Sequence, residues 1–248
     1  MAKLLTHKWL LLALLVASLA GRMLLTNQHF YTHDDIQVFR VNEFINCFKE
    51  GQFPCRWSAN LGKGYGYPWF NYYPPMIYVV PSLLHLVGFS IVTSLNLFMF
   101  LTFLLAAWSI YALVKELLDR EDLAFLASAL YTLYPFHAIN VFVRGVYAEN
   151  LAWSIAPFIL VVIYRQLKSN KFQKLLPTLF AFIYLTHIIS SFVLTGLAFA
   201  WATLLIFVYK KSFFKNISRL LFQVTIGLGL AAFFIVPALA EKNLVFSD

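Results

Sequence analysis

Residues 93–118 read TSLNLFMFLTFLLAAWSIYALVKELL, and this stretch decides the fold class. The run exceeds the roughly 20 residues that a helix needs to cross a hydrocarbon core. Its only charges, Lys115 and Glu116, come near its end. Outward from it the pattern recurs at 9–25, 123–143, 151–167, 175–186, 188–209 and 220–240. The 248 residues are 61% hydrophobic and 12% charged, where a soluble domain has about 25% charged residues. Continuous apolar runs, instead of short alternating segments, exclude a membrane barrel. The sequence therefore predicts an all-α membrane protein with about seven transmembrane helices. It reads as one transmembrane domain over 1–248, in which 26–92 form an extracytoplasmic loop carrying amphipathic juxtamembrane helices.

The net charge of +8 would suggest nucleic acid in a soluble protein. Here no basic cluster interleaves with aromatics on a polar domain, and the partner it implies is the bilayer. Twelve of the nineteen basic residues fall on one predicted side: Lys3, Lys8, Lys115, Arg120, Arg165, Lys168, Lys171, Lys174, Lys210, Lys211, Lys215 and Arg219. The positive-inside rule makes that side cytoplasmic, with the amino terminus inside and the protein in the cell (inner) membrane. The arrangement requires 76–88, a short apolar segment with Pro81 and His85, to be juxtamembrane and not spanning. Residues 1–25 fit either a cleavable signal peptide or an uncleaved first helix with Arg22 snorkelling; the apolar run resumes after Arg22, which favours the helix. The 37-residue run 175–211 is too long for one helix, and Thr186-His187 and Ser190-Ser191 place a break at His187.

The long polar island, 31–75, reads YTHDDIQVFRVNEFINCFKEGQFPCRWSANLGKGYGYPWFNYYPP. Within it 35–50 is amphipathic, with Val38, Val41, Ile45 and Phe48 on one face and Gly51 as the stop, a helix expected to lie on the membrane surface. Cys47 and Cys55, the only cysteines, fit a disulfide on an oxidising face or two separate thiols. Asp34 reads two ways, as an N-cap with Gln37 as capping-box partner, or as a catalytic carboxylate whose orientation such a cap would fix.

The predicted topology brings His33-Asp34-Asp35, the Gly/aromatic loop, RGVYAEN (144–150) and Thr186-His187 to one outer face, where charges are costly unless paired or facing a cavity. Arg144 and Glu149 could pair with each other, or could bind an anionic phosphate and a divalent cation respectively. His187 reads as a turn residue or a ligand, and His29 and His33 could join Asp34 as metal ligands, although no zinc signature is present. The turn Gly62-Lys63-Gly64-Tyr65-Gly66 lacks a P-loop ending and its strand context. Its glycines could admit a ligand close to the backbone, with Tyr65, Tyr67, Trp69, Asn71 and Tyr72 as substrate-binding groups; the aromatics could equally be interfacial anchors.

The acidic pair, FNYYPP (70–75), RGVYAE (144–149), LTH (185–187) and PALAEK (237–242) resemble the prokaryotic multi-pass proteins called 6-pyruvoyl-tetrahydropterin-synthase-related. In layout these are similar to glycosyltransferases of the GT-C class. The pterin label finds no support in the residues, because the histidines are scattered. The GT-C resemblance implies transfer of a sugar from a polyprenyl-phosphate donor on the extracytoplasmic side. It implies Asp34 or Asp35 as catalytic base, Asp34 and Glu149 as ligands of a divalent cation (Mg or Mn), and Arg144, Lys63 and His187 at the donor phosphate. The chain ends at Asp248, whereas such relatives continue into further helices and an external domain, so it reads as a membrane module or a truncated product. Its acidic pair is Asp-Asp and not the mixed Asp/Glu pair of several GT-C branches, which leaves metal dependence open. A non-catalytic transporter or lipid-carrier-binding protein is the alternative, with a structural subunit behind it.

Overall fold

The computed structural model describes residues 8–245, which are helical apart from loops and one isolated antiparallel bridge between Ser58 and Tyr67. In chain order the helices are α1 (Lys8–Ala20), α2 (Gln37–Lys49), α3 (Trp69–Tyr72), α4 (Met76–Leu86), α5 (Ile91–Leu118) and α6 (Glu121–Leu133). They continue as α7 (Pro135–Ala138), α8 (Tyr147–Ser169), α9 (Leu175–Tyr184), α10 (Ile188–Val208), α11 (Phe213–Leu230) and α12 (Ala232–Ala240). Lys3, one of the residues expected on the inner side, lies outside the described residues.

Four spans among the described residues are long and apolar enough to cross a membrane: α5, the α6–α7 run through Glu121–Arg144, α8 and α10. A fifth is reached if α11 and α12, bent by 75° at their junction, count as one. The described part of α1 and the whole of α9 are shorter apolar helices of 13 and 10 residues, so the expected count of about seven is not reached by length alone. The juxtamembrane segment expected at 76–88 is α4, eleven residues long with Pro81 inside, packed on α5 and α2.

The bundle is built around α5 and α8. Ala106, Ala107, Ser109, Ala152 and Ser154 are fully or almost fully buried, and small residues allow backbones to approach closely. Ser109 Oγ donates to Ser154 O at 2.8 Å and Ser128 Oγ to Ala107 O at 2.9 Å, tying α8 and α6 to α5. Pro157 inside α8 offers no N–H to the carbonyl of Trp153 four residues earlier. The Tyr131 hydroxyl donates to that carbonyl at 2.7 Å, so a polar group orphaned inside the bundle is satisfied from the next helix.

The expected kink at Pro135 is present: α6 stops at Leu133, Pro135 starts α7, and the chain continues as a π-helical turn, Ile139–Arg144, ended by Gly145. The break expected at His187 is also present. The His187 ring accepts from Ser190 N and caps α10. Leu185 O in the same turn accepts from Met76 N at 3.0 Å, fixing the start of α4 against it.

Two expectations are corrected. The seventh helix, expected over 220–240, starts earlier, at Phe213, and breaks at Ala231. Gly227 and Gly229 lower helix propensity just before the break. The helix in the polar island buries most of the expected face but shifts it at its end: Val41 and Ile45 are buried and Val38 packs on the core, while Phe44 is buried in place of Phe48, which is 41% exposed. Packing of α2 against α4 and α5 selects that face, and the buried side also includes Gln37, Arg40 and Glu43.

Candidate functional site

The polar island is fastened to the bundle where α7 gives way to α8. His33 N donates to Val143 O at 2.9 Å and Asp34 N to Arg144 O at 3.0 Å. Gly145 makes this approach possible. Its φ is +73°, and a Cβ built there would lie 2.4 Å from Thr32 Oγ1 and 3.0 Å from Asp34 O. Gly145 O in turn accepts from Gln37 Nε2 at 3.0 Å. The acidic pair and RGVYAEN therefore meet through backbone hydrogen bonds, as the sequence-derived topology anticipated.

Asp34 is not a helix cap. The N-cap position of α2 is Ile36, without a side-chain cap bond. Asp34 Oδ2 instead accepts from Gln37 Nε2 and from Arg40 Nη1, both at 2.8 Å. Arg40 is 8% exposed, and its guanidinium lies 3.9 Å from the centre of the Trp69 ring. Trp69 stacks on Tyr73, with ring centres 4.9 Å apart, and its Nε1 donates to Tyr78 Oη at 3.1 Å. A buried guanidinium needs a carboxylate and an aromatic face in place of water, and Asp34 and Trp69 supply them. Burial raises the Tyr73 hydroxyl pKa; Arg40 opposes that shift, while Asp34 and Glu149 add to it.

Asp35 is held differently. Its Oδ1 lies 2.6 Å from His29 Nε2, and both side chains are about one-third exposed. Arg144 Nη1 donates to Asn140 Oδ1 at 2.8 Å and to Glu149 Oε2 at 3.1 Å. Glu149 sits in the first turn of α8, where the helix dipole favours a negative charge. His187 shares this field: burial lowers its pKa, Glu149 opposes that and Arg144 adds to it. Its Nδ1 is 2.8 Å from Ser190 Oγ.

The proposed cation ligands do not form a chelating set as arranged. Asp34 is neutralised by Arg40 and Glu149 by Arg144. Among the described residues no group of three or more His, Cys, Asp or Glu side chains could hold a metal ion.

The predicted substrate-binding residues divide. Trp69 belongs to the Asp34–Arg40 stack. Tyr67, Asn71 and Tyr72 line a separate cavity of about 590 Å³ with Arg56 and Glu241. Asn71 accepts from Arg56 Nη1 at 2.7 Å and donates to Glu241 Oε2 at 2.9 Å. Tyr65 is 90% exposed, and Lys63 is exposed in the same turn. Among the described residues neither side chain makes a hydrogen bond or ion pair that would bring it to Asp34. Of the glycines in this turn, Gly66 serves packing: a Cβ there would lie 2.4 Å from the Trp57 ring.

The loop itself is fixed by Glu43, which is 1% exposed. Its carboxylate accepts from Ser58 Oγ (2.5 Å), Asn60 N (3.1 Å) and Asn60 Nδ2 (2.8 Å). Burial would raise its pKa, but these donors outweigh burial and lower it. Cys47 and Cys55 are joined as a disulfide, which decides between the two readings of the pair. Arg40 and Arg56 were not singled out from sequence. Arg40 carried one usable signal: it lies three residues after Gln37, on the face of α2 that carries the buried Val41 and Phe44.

Residues 70–247 match the family described as 6-pyruvoyl-tetrahydropterin synthase related domain, a membrane protein. The chain belongs to this family. A protein of Lactococcus lactis subsp. cremoris (strain MG1363), itself described as uncharacterized, is 25% identical over 214 residues, covering 81% of this chain. The chain spans about a third of that relative's length (34%). No solved structure matches. The described histidines are dispersed: His137 is buried against Asn150, His85 bonds Phe89 O, His187 caps α10 and His29 pairs with Asp35.

Proposed function

We propose that this protein is the membrane module of a glycosyltransferase that takes sugar from a polyprenyl-phosphate donor at the extracytoplasmic face. One observation carries the reading. Three carboxylates (Asp34, Asp35, Glu149), two guanidinium groups (Arg40, Arg144) and two histidines (His29, His187) from four separate segments converge at one end of an apolar bundle, around the junction sealed by Gly145. Such convergence of charge beside membrane-spanning helices is expensive and points to a site.

In this reading Asp35 takes the proton of the acceptor hydroxyl while its oxygen attacks the anomeric carbon. The bond from that carbon to the phosphate oxygen breaks, and polyprenyl phosphate leaves with the bonding electrons. His29 orients Asp35 through its hydrogen bond, and the proton taken from the acceptor rests on the Asp35 carboxyl. Arg144 faces the developing phosphate charge, with Asn140 and Glu149 setting its position and His187 nearby. Asp34 is a positioning residue, its Oδ2 held by Arg40 and Gln37. Because Asp34 and Glu149 are each paired with arginine, charge stabilisation is assigned to guanidinium groups and no step is routed through a metal. The disulfide and the one-sided basic residues support an extracytoplasmic placement of this end, with the amino terminus cytoplasmic in the inner membrane. The polar side chains buried within the bundle, such as Thr102, His137 and Asn150, bond to one another, which favours a structural network over the transport path of the alternative reading.

The test uses membranes carrying the full chain and polyprenyl-phosphate-linked hexoses and N-acetylhexosamines labelled in the sugar. Transfer into a membrane-bound product should fall about 10²–10⁴-fold in Asp35→Asn, the usual range for loss of a general base. Full transfer by that variant would sink the assignment.

A further inference from the structure

We propose a second binding site, apart from Asp34 and Arg144, that takes one lipid phosphate: its headgroup against Arg56 and its chain in an aromatic cavity. Arg56 lines two adjoining cavities. One, of about 290 Å³, is apolar, with Phe44, Phe48, Phe70, Met76, Val79 and Phe234 among its walls. The other is the polar chamber of about 590 Å³ with Asn71 and Glu241, within the usual size range of ligand pockets. An apolar and a polar chamber joined at one cation match the division of an amphiphile.

The local chemistry selects an anionic head. Pro237 in α12 leaves Phe233 O without its helical donor, and Arg56 Nη2 donates to it at 3.2 Å. Arg56 Nη1 goes to Asn71 Oδ1. Both acceptors are neutral, and among the described residues no carboxylate lies within ion-pair distance of Arg56. Glu241 also lines the polar chamber, but Asn71 Nδ2 bonds its carboxylate. Arg56 thus brings a whole positive charge and further N–H donors to the shared wall, in a fork suited to phosphate.

The bend makes a lipid the occupant. At 75° from α11, α12 turns aside from the direction of the preceding span, and Phe233 and Phe234 on α12 close the apolar chamber against α2 and α4. That chamber lies beside membrane helices, where a lipid chain can enter without crossing water.

The experiment uses the full chain in phosphatidylcholine nanodiscs with two photoreactive probes, a diazirine-bearing hexadecyl phosphate and the corresponding neutral alcohol. Labelled positions are read by mass spectrometry, which needs no sugar transfer and so stands independently of the proposed activity. The phosphate probe should label the walls of the apolar chamber at least tenfold more than the alcohol. R56Q should remove that preference, R56K should keep part of it, and V79W should block labelling by filling the chamber. Thermal melts identify any variant that has lost its fold, and R56K keeps the test decisive if R56Q has. Excess inorganic phosphate should leave labelling intact, whereas unlabelled hexadecyl phosphate should compete. Equal labelling by both probes, an unchanged R56Q, or displacement by inorganic phosphate alone would overturn the proposal.

Discussion

Gly145→Ala tests the junction on which the site depends. The native φ of +73° lies in the left-handed region, where an L residue pays about 1–2 kcal/mol. The added Cβ would also stand 2.4 Å from Thr32 Oγ1 and 3.0 Å from both Thr32 Cβ and Asp34 O. Asp34 O belongs to backbone pinned by the bond from Asp34 N to Arg144 O, so little can give way there, and overpacking of this kind costs about 1–3 kcal/mol. Together these give a loss of about 2–5 kcal/mol, a fall in melting temperature on the order of 10 °C for a chain of this size. The assay is thermal melting in detergent, with transfer activity measured beside it. Thr32→Gly in the same chain removes the two threonine contacts but leaves the φ cost and Asp34 O. It should recover about half of the loss, a coupling of about 1–3 kcal/mol in a double-mutant cycle. If Gly145→Ala melts within a degree of the parent, or if the two substitutions act additively, the polar island is not held to the bundle in the way described.

Two further outcomes follow from the same contacts. Removing Asp34 leaves Arg40 nearly desolvated, whereas removing Arg40 leaves an Asp34 that is about one-third exposed, so Asp34→Leu should cost about 2 kcal/mol and Arg40→Met less. The double variant should cost less than the sum, and strict additivity in thermal melts would refute the pairing. His187 has a folded pKa lowered mainly by burial. Its contribution to stability is therefore fully present above its unfolded pKa of about 6.5 and is lost as pH falls through the lower folded value. Stability measured across that window should fall in the parent and fall less in His187→Asn; parallel curves would show that His187 does not titrate with unfolding.

The sequence made some features plain because single residues decide them. A long apolar run forces a helix, Pro135 forces a kink, and the polar Thr186-His187 pair within a 37-residue run forces a break. The convergence at one end of the bundle also followed from topology, since short connections return helix ends to one side. What stayed hidden depends on partners far along the chain. Asp34 looked like a cap because local spacing to Gln37 fits one; the competing ligand, Arg40, wins because its burial demands a carboxylate. Arg56 gave no local signal at all, since its acceptors, Asn71 and Phe233 O, lie 15 and 177 residues away. The bend at Ala231 was missed because the apolar run is continuous across it and hydropathy does not register direction.

The two aspartates show how adjacent identical residues can be given different work. Asp34 Oδ2 is taken by two donors, one of them a guanidinium that is itself stacked on Trp69 and cannot follow a moving proton. Protonating Asp34 would strand Arg40 in a nearly dry setting, so its useful property is fixed geometry. Asp35 is as exposed as Asp34, about one-third each, but meets a single partner, His29, and no guanidinium. In the proposed reaction it is therefore Asp35, free of a guanidinium, that meets the acceptor hydroxyl. The backbone bond from Asp34 to Arg144 then matters for Asp35 as well, because it fixes the peptide from which the next side chain departs. Weakening that bond should therefore impair proton acceptance by Asp35 through misplacement alone, and a displacement of about 1 Å is enough to cost on the order of 10²-fold in rate.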